Sequence, residues 1–228
     1  MQRGIGVVGM VGVAVLALVN ACSDSNSTAP LVATTITASA ATNGQTGAAG
    51  TALAQPVGVL VVDQNGAPFA NATVTWTVAS GGGSVASPTS VTDATGTATV
   101  VYTLGTVAGV DSLEASIAGG ENAFITAMAT AGPASAMQVV SGGAQSVTAG
   151  SVTAPLIVKV ADQFGNPVSN ASVSWAVTGG GTLSATTSTT DATGTTQVTL
   201  TTDAAPATYS VTATTGSLTP VAFTITAM

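Results

Sequence analysis

Apolar and small polar residues alternate strictly in one stretch that occurs twice in the chain, at residues 72–78 and 171–177. A period of two predicts a β-strand with one buried face and one solvent-exposed face. On this pattern Trp76 and Trp175, the two tryptophans of the chain, lie on the buried faces, 99 residues apart. One large aromatic residue in mid-strand, once in roughly a hundred residues, is typical of the central packing residue of a small β-sandwich. The pattern therefore predicts two copies of one domain.

The same alternation recurs in further segments of each copy, and we expect these segments to be strands too. The predicted inward-facing residues of the first copy are Val57, Val59, Val61, Ala98, Val100, Tyr102, Leu113, Ala115 and Ile117. Those of the second copy are Leu156, Val158, Val160, Thr196, Val198, Leu200, Tyr209, Val211 and Ala213. Both copies finish on Ile-Thr-Ala-Met, at residues 125–128 and 225–228, and we align these two segments. Several short strands separated by turn residues predict an all-β fold of two tandem sandwiches.

Aspartates recur at the predicted turns, where Asp63 corresponds to Asp162 and Asp93 to Asp191. An aspartate followed by a glycine is typical of a turn in which the carboxylate accepts local N–H groups and the glycine adopts a positive φ. Calcium binding between domains is the alternative, but these turns lack the additional carboxylates and the closing Glu of a calcium loop. We therefore interpret the four aspartates as turn caps.

Charge excludes several classes of partner. Charged residues make up only 5% of the chain, against 46% apolar residues, and the net charge is −7. Without the leader, which contains Arg3, only Lys159 opposes the nine acidic residues. Nucleic-acid binding needs clustered Lys and Arg, so we expect none. The chain has no His and one Cys, which excludes an intrachain disulfide and the usual kind of zinc site, and we expect no metal or cofactor.

The N-terminus has the pattern of an export signal. Arg3 precedes a continuous apolar run over residues 5–19, which is shorter than the about 20 residues of a membrane span. The run ends before Ala21-Cys22, and a polar segment follows. This resembles a bacterial lipoprotein signal, which implies residues 1–21 as signal peptide, Cys22 as the lipid-attachment residue and residues 22–30 as a flexible tether. Ordinary cleavage after Ala21, which would give a secreted protein, is the alternative.

The order of motifs after the tether resembles a known family. Val-x-Asp-x-x-Gly-x-Pro is followed by the tryptophan strand, a Gly-Gly-Gly run and Thr-Asp-Ala-x-Gly-Thr, in both copies. This order is similar to that of the bacterial immunoglobulin-like domain, group 1, which forms the extracellular stalks of invasin- and intimin-type adhesins. The resemblance implies two tandem immunoglobulin-like (Ig-like) β-sandwiches, residues 31–131 and 132–228. We expect the short link with Pro133 to make them a stiff pair.

Familiar catalytic arrangements are not recognisable. No serine has a histidine to activate it, and Lys159 is a single candidate base on a strand. Asp111, Glu114 and Glu121 form a loose acidic group that we interpret as solvated charge, since glycoside hydrolysis needs a held pair in a cleft. The glycine runs 81–83 and 179–181 lack the Lys-Ser/Thr of a phosphate-binding loop. We interpret them as structural loops or bulges. Asn71 and Asn170 match the glycosylation pattern, but we expect turn residues there.

We therefore expect a non-catalytic, lipid-anchored protein of the cell envelope, at the outer membrane or cell surface, that displays two Ig-like domains as a stalk, spacer or adhesion module. Its expected partners are a membrane, through the lipid at Cys22, and an unidentified surface protein or glycan. The alternative is a carbohydrate-binding or accessory module of an extracellular complex, for which Phe69 and Phe164 are the candidate exposed aromatic residues. An enzyme ranks last, and loss of activity in Asp111→Asn would be its signature.

Overall fold

The computed structural model describes residues 30–228, so the signal peptide and Cys22, with the tether up to residue 29, lie outside the described residues. All regular secondary structure between residues 30 and 228 is β-strand, which confirms the predicted all-β fold. None of these residues belongs to an apolar helix long enough to span a membrane. Residues 31–228 form one compact unit that contains two hydrophobic cores.

The first repeat consists of two sheets that face each other. A three-stranded sheet has the order β1-β3-β7, and a five-stranded sheet has the order β2-β10-β9-β4-β6. Strand β2 pairs with β10 in parallel, whereas the other pairings are antiparallel. The strands are β1 (Ala33–Ala38), β2 (Gln45–Ala48), β3 (Val57–Asp63), β4 (Thr73–Ser80), β5 (Ser84–Val85), β6 (Thr89–Val91), β7 (Thr97–Val100), β8 (Tyr102–Thr103), β9 (Gly109–Ile117) and β10 (Asn122–Thr130).

The second repeat has the same strand order. Its sheets are β11-β13-β17 and β12-β20-β19-β14-β16, and the small pair β15-β18 corresponds to β5-β8. The strands are β11 (Ala136–Ser141), β12 (Ala144–Val147), β13 (Leu156–Ala161), β14 (Ser172–Thr178), β15 (Thr182–Leu183), β16 (Thr187–Thr189), β17 (Thr195–Val198), β18 (Leu200–Thr201), β19 (Ala207–Thr214) and β20 (Val221–Ala227).

The tryptophans lie where the alternation predicts them. Trp76 and Trp175 are each only 3% exposed, and each indole N–H donates to a serine hydroxyl of the neighbouring strand, Ser90 and Ser188. All the residues predicted to face inward are buried, and they come from both sheets of each repeat. Lys159 points away from the core and is exposed. The period of two therefore correctly identifies the packed faces of the long strands.

The alignment of the two Ile-Thr-Ala-Met segments is wrong by two residues. Strand β9 pairs Leu113 with Ile125, and the equivalent pair in β19 and β20 is Val211 with Phe223. Ile225 instead pairs with Tyr209. Side chains separated by two positions share a sheet face, so the error leaves the buried pattern intact and was invisible to a period-two analysis. Because of the two-residue offset, Phe223 and not Ile225 occupies the position equivalent to Ile125. The ring centroids of Phe223 and Trp175 lie 6.0 Å apart.

Candidate functional site

The four turn aspartates bind backbone groups of their own turns. Asp63 Oδ1 accepts the N–H groups of residues 65 and 67, at 2.8 and 2.9 Å, and Asp162 Oδ1 accepts those of residues 164 and 166, at 2.9 Å each. Asp93 and Asp191 do the same two and four residues further along their turns. The following glycines have φ between 75° and 86°. The interpretation as turn caps is confirmed, and within residues 30–228 no three acidic, Cys or His side chains converge as metal ligands.

Hydrogen bonding explains the acidity of three of these carboxyl groups. The Thr193 hydroxyl and the Thr195 N–H lower the pKa of Asp191 to about 2. The Thr95 hydroxyl and the Thr97 N–H lower the pKa of Asp93 below its usual range. Burial acts to raise the pKa of Asp162, but hydrogen bonds from its turn and from Gly132 outweigh it and lower the pKa. Donors that satisfy the ionised form keep these groups charged at neutral pH.

Asp111 is not solvated, which corrects its interpretation as part of an exposed acidic group. It is 1% exposed, and its Oδ2 accepts the Gly105 N–H at 2.7 Å. Its Oδ1 and the hydroxyl of buried Tyr102 have no hydrogen-bond partner among residues 30–228. The reason is visible in the sequence, because Asp111 lies two residues before inward-facing Leu113 and therefore shares its face. Glu114 is half-buried beside Asn122, so the three acids do not form one site.

Tyr102 should titrate unusually late. Burial, and next the negative charge of Asp111, raise the pKa of Tyr102 from 10.0 to about 12. The folded chain then holds this proton more tightly than the unfolded chain. The stabilisation that the Tyr102 proton contributes is therefore complete below pH 10 and is lost as the pH rises through about 12. In a spectrophotometric titration, Tyr102→Phe is expected to remove the latest step and Asp111→Asn to move it to lower pH. A wild-type curve without a late step assigned to Tyr102 would contradict the predicted pKa.

The glycine runs form close-packed loops, as expected. A Cβ atom at Gly81 would lie 1.8 Å from Asp111 Oδ1, and one at Gly83 would lie 2.5 Å from the Tyr102 hydroxyl. The loop therefore covers the Tyr102–Asp111 pair and leaves no room for a phosphate. Asn71 and Asn170 have φ of 63° and 57°, in the left-handed region that Asn tolerates better than most residues, as expected for turn residues.

Among Phe69, Phe164 and Phe124, the most exposed side chain is that of Phe124, which was not one of the two residues predicted to be exposed. Phe69 is half-buried against the first core, so its prediction as an exposed residue is wrong. Phe164 is 43% exposed, but its ring packs on Gly50 of the first repeat. Phe124, by contrast, is 56% exposed on the outer face of β10. Its position was predictable, because it precedes the inward-facing Ile125 by one residue.

Phe124 is one of three exposed apolar residues on the outer sheet face of the first repeat. Val110, 57% exposed, is the cross-strand neighbour of Met128, which is 42% exposed and lies on the same face as Phe124. We call these three residues the outer-face patch. The pairing of Thr208 with Thr226 occupies the equivalent position in the second repeat, so the patch is specific to the first. Exposed apolar side chains on one sheet face make this face a candidate interaction surface.

A family model matches the second repeat. Residues 136–227 match the family model described as bacterial Ig-like domain (group 1). The second repeat is a bacterial Ig-like domain of group 1. The first Ig-like repeat has the same strand order, the same capped turns and the same buried tryptophan. The resemblance stated from the motifs is confirmed.

One solved structure of an adhesin shares this fold. FdeC, an adhesin of Escherichia coli, is 22% identical over 87% of this chain and 65% of its own, with a TM-score of 0.57. The D0-D1 domain of intimin is 24% identical over 84% of this chain and 98% of its own, with a TM-score of 0.32. The adhesin InvE of Yersinia pseudotuberculosis is 21% identical over 87% of this chain, with a TM-score of 0.34. The chain spans less than two thirds of the FdeC and InvE structures. No curated protein matches it.

Proposed function

We propose that the chain is a non-catalytic lipoprotein of the cell envelope that displays its two Ig-like repeats at the cell surface as a spacer and adhesion module. The observation that carries this proposal is the tandem pair of Ig-like repeats, the second of which matches the family model, behind an apolar N-terminal run that is followed by Cys22. The four turn aspartates are bound to their turns and Asp111 is buried under a loop, which supports a structural function for these five residues. In this proposal the diacylglycerol attached at Cys22 anchors the chain, and the outer-face patch is the contact surface.

The outer-face patch is the part of this proposal that a partner would contact. Within the first repeat, residues 31–131 contain five acidic residues and no Lys or Arg. Glu114 is the cross-strand neighbour of Phe124, so the patch has a carboxylate at its edge. A partner with apolar residues and a basic group matches both features, because Phe124 offers its ring face to a cation and Glu114 its charge.

Anchoring is tested by protease treatment of intact cells. We expect the wild-type protein to be cleaved on intact cells, because the repeats face the medium, and Cys22→Ser to appear uncleaved in the culture supernatant, because it lacks the lipid. Labelling with a fatty-acid analogue, present in the wild type and lost in Cys22→Ser, is the matched control. Wild-type protein that is protected until the envelope is opened would place the repeats in the periplasm and refute surface display.

A second candidate function is carbohydrate binding, and Phe124 is the observation that favours it. An exposed ring beside a carboxylate and an amide, here Glu114 and Asn122, is the usual composition of a sugar-binding platform. A glycan array distinguishes the candidates. Binding to a glycan that is lost in Phe124→Ala and kept in Phe164→Ala would establish the sugar platform, and an array without wild-type binding would exclude it.

A further inference from the structure

Asn166 lies in a turn of the second repeat, yet its side chain is 6% exposed and bonds to the first repeat. Its Oδ1 accepts the N–H of Ala108 at 2.8 Å, and its Nδ2 donates to the carbonyl oxygen of Thr106 at 2.9 Å. Both bonds go to backbone groups of the β8–β9 loop. One amide therefore pairs with a donor and an acceptor of the other repeat at the same time.

Asp162 holds this amide in position. Its Oδ1 accepts two N–H groups of the turn, and its Oδ2 accepts Asn166 Nδ2 and the N–H of Gly132, each at 2.9 Å. Gly132 lies in the segment that connects the two repeats. A single buried carboxylate thus joins the turn, the Asn166 side chain and the connecting segment, and all of these bonds are made to a charged acceptor.

Phe164 adds an apolar contact beside the amide. A Cβ atom at Gly50 would lie only 2.7 Å from two atoms of the Phe164 ring, so the ring covers the bare Cα of this glycine. Any side chain at residue 50 would displace the ring. Gly50 also has a φ of +72°, which favours glycine there independently of the contact.

The first repeat provides an internal comparison for the turn. Its equivalent residues are Asn65 and Ala67, which are exposed, although their N–H groups donate to Asp63 as their counterparts donate to Asp162. The turn itself therefore needs neither Phe nor Asn at these two positions. Phe164 and Asn166 are therefore explained by their contacts with the first repeat and not by the conformation of the turn.

The far end of the second repeat provides the comparison for the receiving surface. The N–H of Gly50 donates to the carbonyl oxygen of Gly105, and that of Gly150 donates to the carbonyl oxygen of Asp203, which makes residues 105 and 203 equivalent. Pro206 then occupies the position of Ala108. Proline has no N–H, so this end cannot donate to an amide as Ala108 does.

We infer that Phe164 and Asn166 form a docking surface specific for the preceding repeat, and that residues 30–228 contain one matched pair of such surfaces, at the junction of the two repeats. We call these two residues the junction lock. They fix the second repeat against Gly50 and the 106–108 loop, so the two repeats move as one body. The turn of the first repeat lacks the lock and the end of the second repeat lacks the receiving N–H. The inference concerns the repeats alone and does not depend on where the chain is displayed.

The test exchanges the turns within the full-length chain, purified in the Cys22→Ser background. In the swapped variant, Phe164→Asn with Asn166→Ala, the second repeat has the turn sequence of the first at both positions and keeps the backbone bonds to Asp162. The matched control makes the reverse exchange, Asn65→Phe with Ala67→Asn, in the first repeat. Backbone ¹⁵N relaxation gives the rotational correlation time of each repeat, and amide hydrogen exchange follows the N–H of Ala108.

The expected result is one common correlation time for both repeats in the wild type and the control, and two shorter times in the swapped variant. The Ala108 amide should exchange about tenfold faster in the swapped variant, because it loses its acceptor. Separate tumbling of the repeats in the wild type, or Ala108 exchange in the swapped variant equal to the wild type, would overturn the inference. If the swapped variant unfolds, the single variant Asn166→Ala, which leaves Phe164 in place, is judged by the same Ala108 criterion.

Discussion

Trp175→Ala is expected to unfold the second Ig-like repeat at a much lower urea concentration than the first. Trp175 is 3% exposed, its ring lies 6.0 Å from that of Phe223, and its N–H is bonded to Ser188. Removing a buried indole costs about 3–5 kcal/mol, a large part of the about 5–15 kcal/mol that stabilises a typical domain. With a usual urea dependence, the midpoint of the second repeat falls by about 2 M.

The two tryptophans allow each repeat to be observed separately. In Trp175→Ala the remaining Trp76 reports only on the first repeat by fluorescence, whereas far-ultraviolet circular dichroism reports on both. We expect the dichroism to show an early transition that Trp76 fluorescence does not show. The control Trp175→Phe keeps most of the buried ring and loses the bond to Ser188, so its cost is about 1–2 kcal/mol. Coincident curves from the two probes would show that the repeats unfold as one cooperative unit and would contradict the prediction.

The long strands were predictable because burial follows a period of two. The same rule, extended two residues from Leu113 and one residue from Ile125, places Asp111 inside and Phe124 outside, as found. The edge strand β2 (Gln45–Ala48) could not be predicted in this way. Its Gln-Thr-Gly-Ala sequence has no alternation, and its parallel pairing with β10 is determined by residues about eighty positions away in the sequence. Non-local pairing of this kind leaves no local signal.

The junction lock left a different kind of signal. Within each turn, Asp and Gly are explained by local geometry, and the sequence predicts their caps correctly. Phe164 and Asn166 differ from Asn65 and Ala67 at equivalent positions of the same turn, and local geometry gives no reason for the difference. Comparing the copies would have marked both residues as special. It would not have shown that they contact the first repeat. The 106–108 loop is distant in sequence, and Asn166 bonds to its backbone groups, which every sequence has.

Gly96→Ala is expected to destabilise the first Ig-like repeat far more than Gly66→Ala, although both glycines occupy capped turns with nearly the same φ, +75° and +79°. Each substitution places an alanine in the left-handed region, at a cost of about 1 kcal/mol. A Cβ atom at residue 66 meets no atom of residues 30–228 within 4 Å, whereas one at residue 96 would lie 2.5 Å from the carbonyl oxygen of Val61. Relieving that collision means moving a core strand, which adds about 1–3 kcal/mol.

Urea unfolding followed by fluorescence measures both variants with the same reporter, since Trp76 belongs to the repeat that carries them. The difference between the two variants isolates the collision with the strand, because the conformational cost of a positive φ cancels. Gly194→Ala repeats the experiment in the second repeat, where a Cβ atom would lie 2.6 Å from the carbonyl oxygen of Val160 and φ is again +75°. Equal losses in Gly66→Ala and Gly96→Ala would mean that β3 moves freely enough to admit a methyl group. Close packing of this turn, residues 92–97, against the core would then not explain the glycine at residue 96.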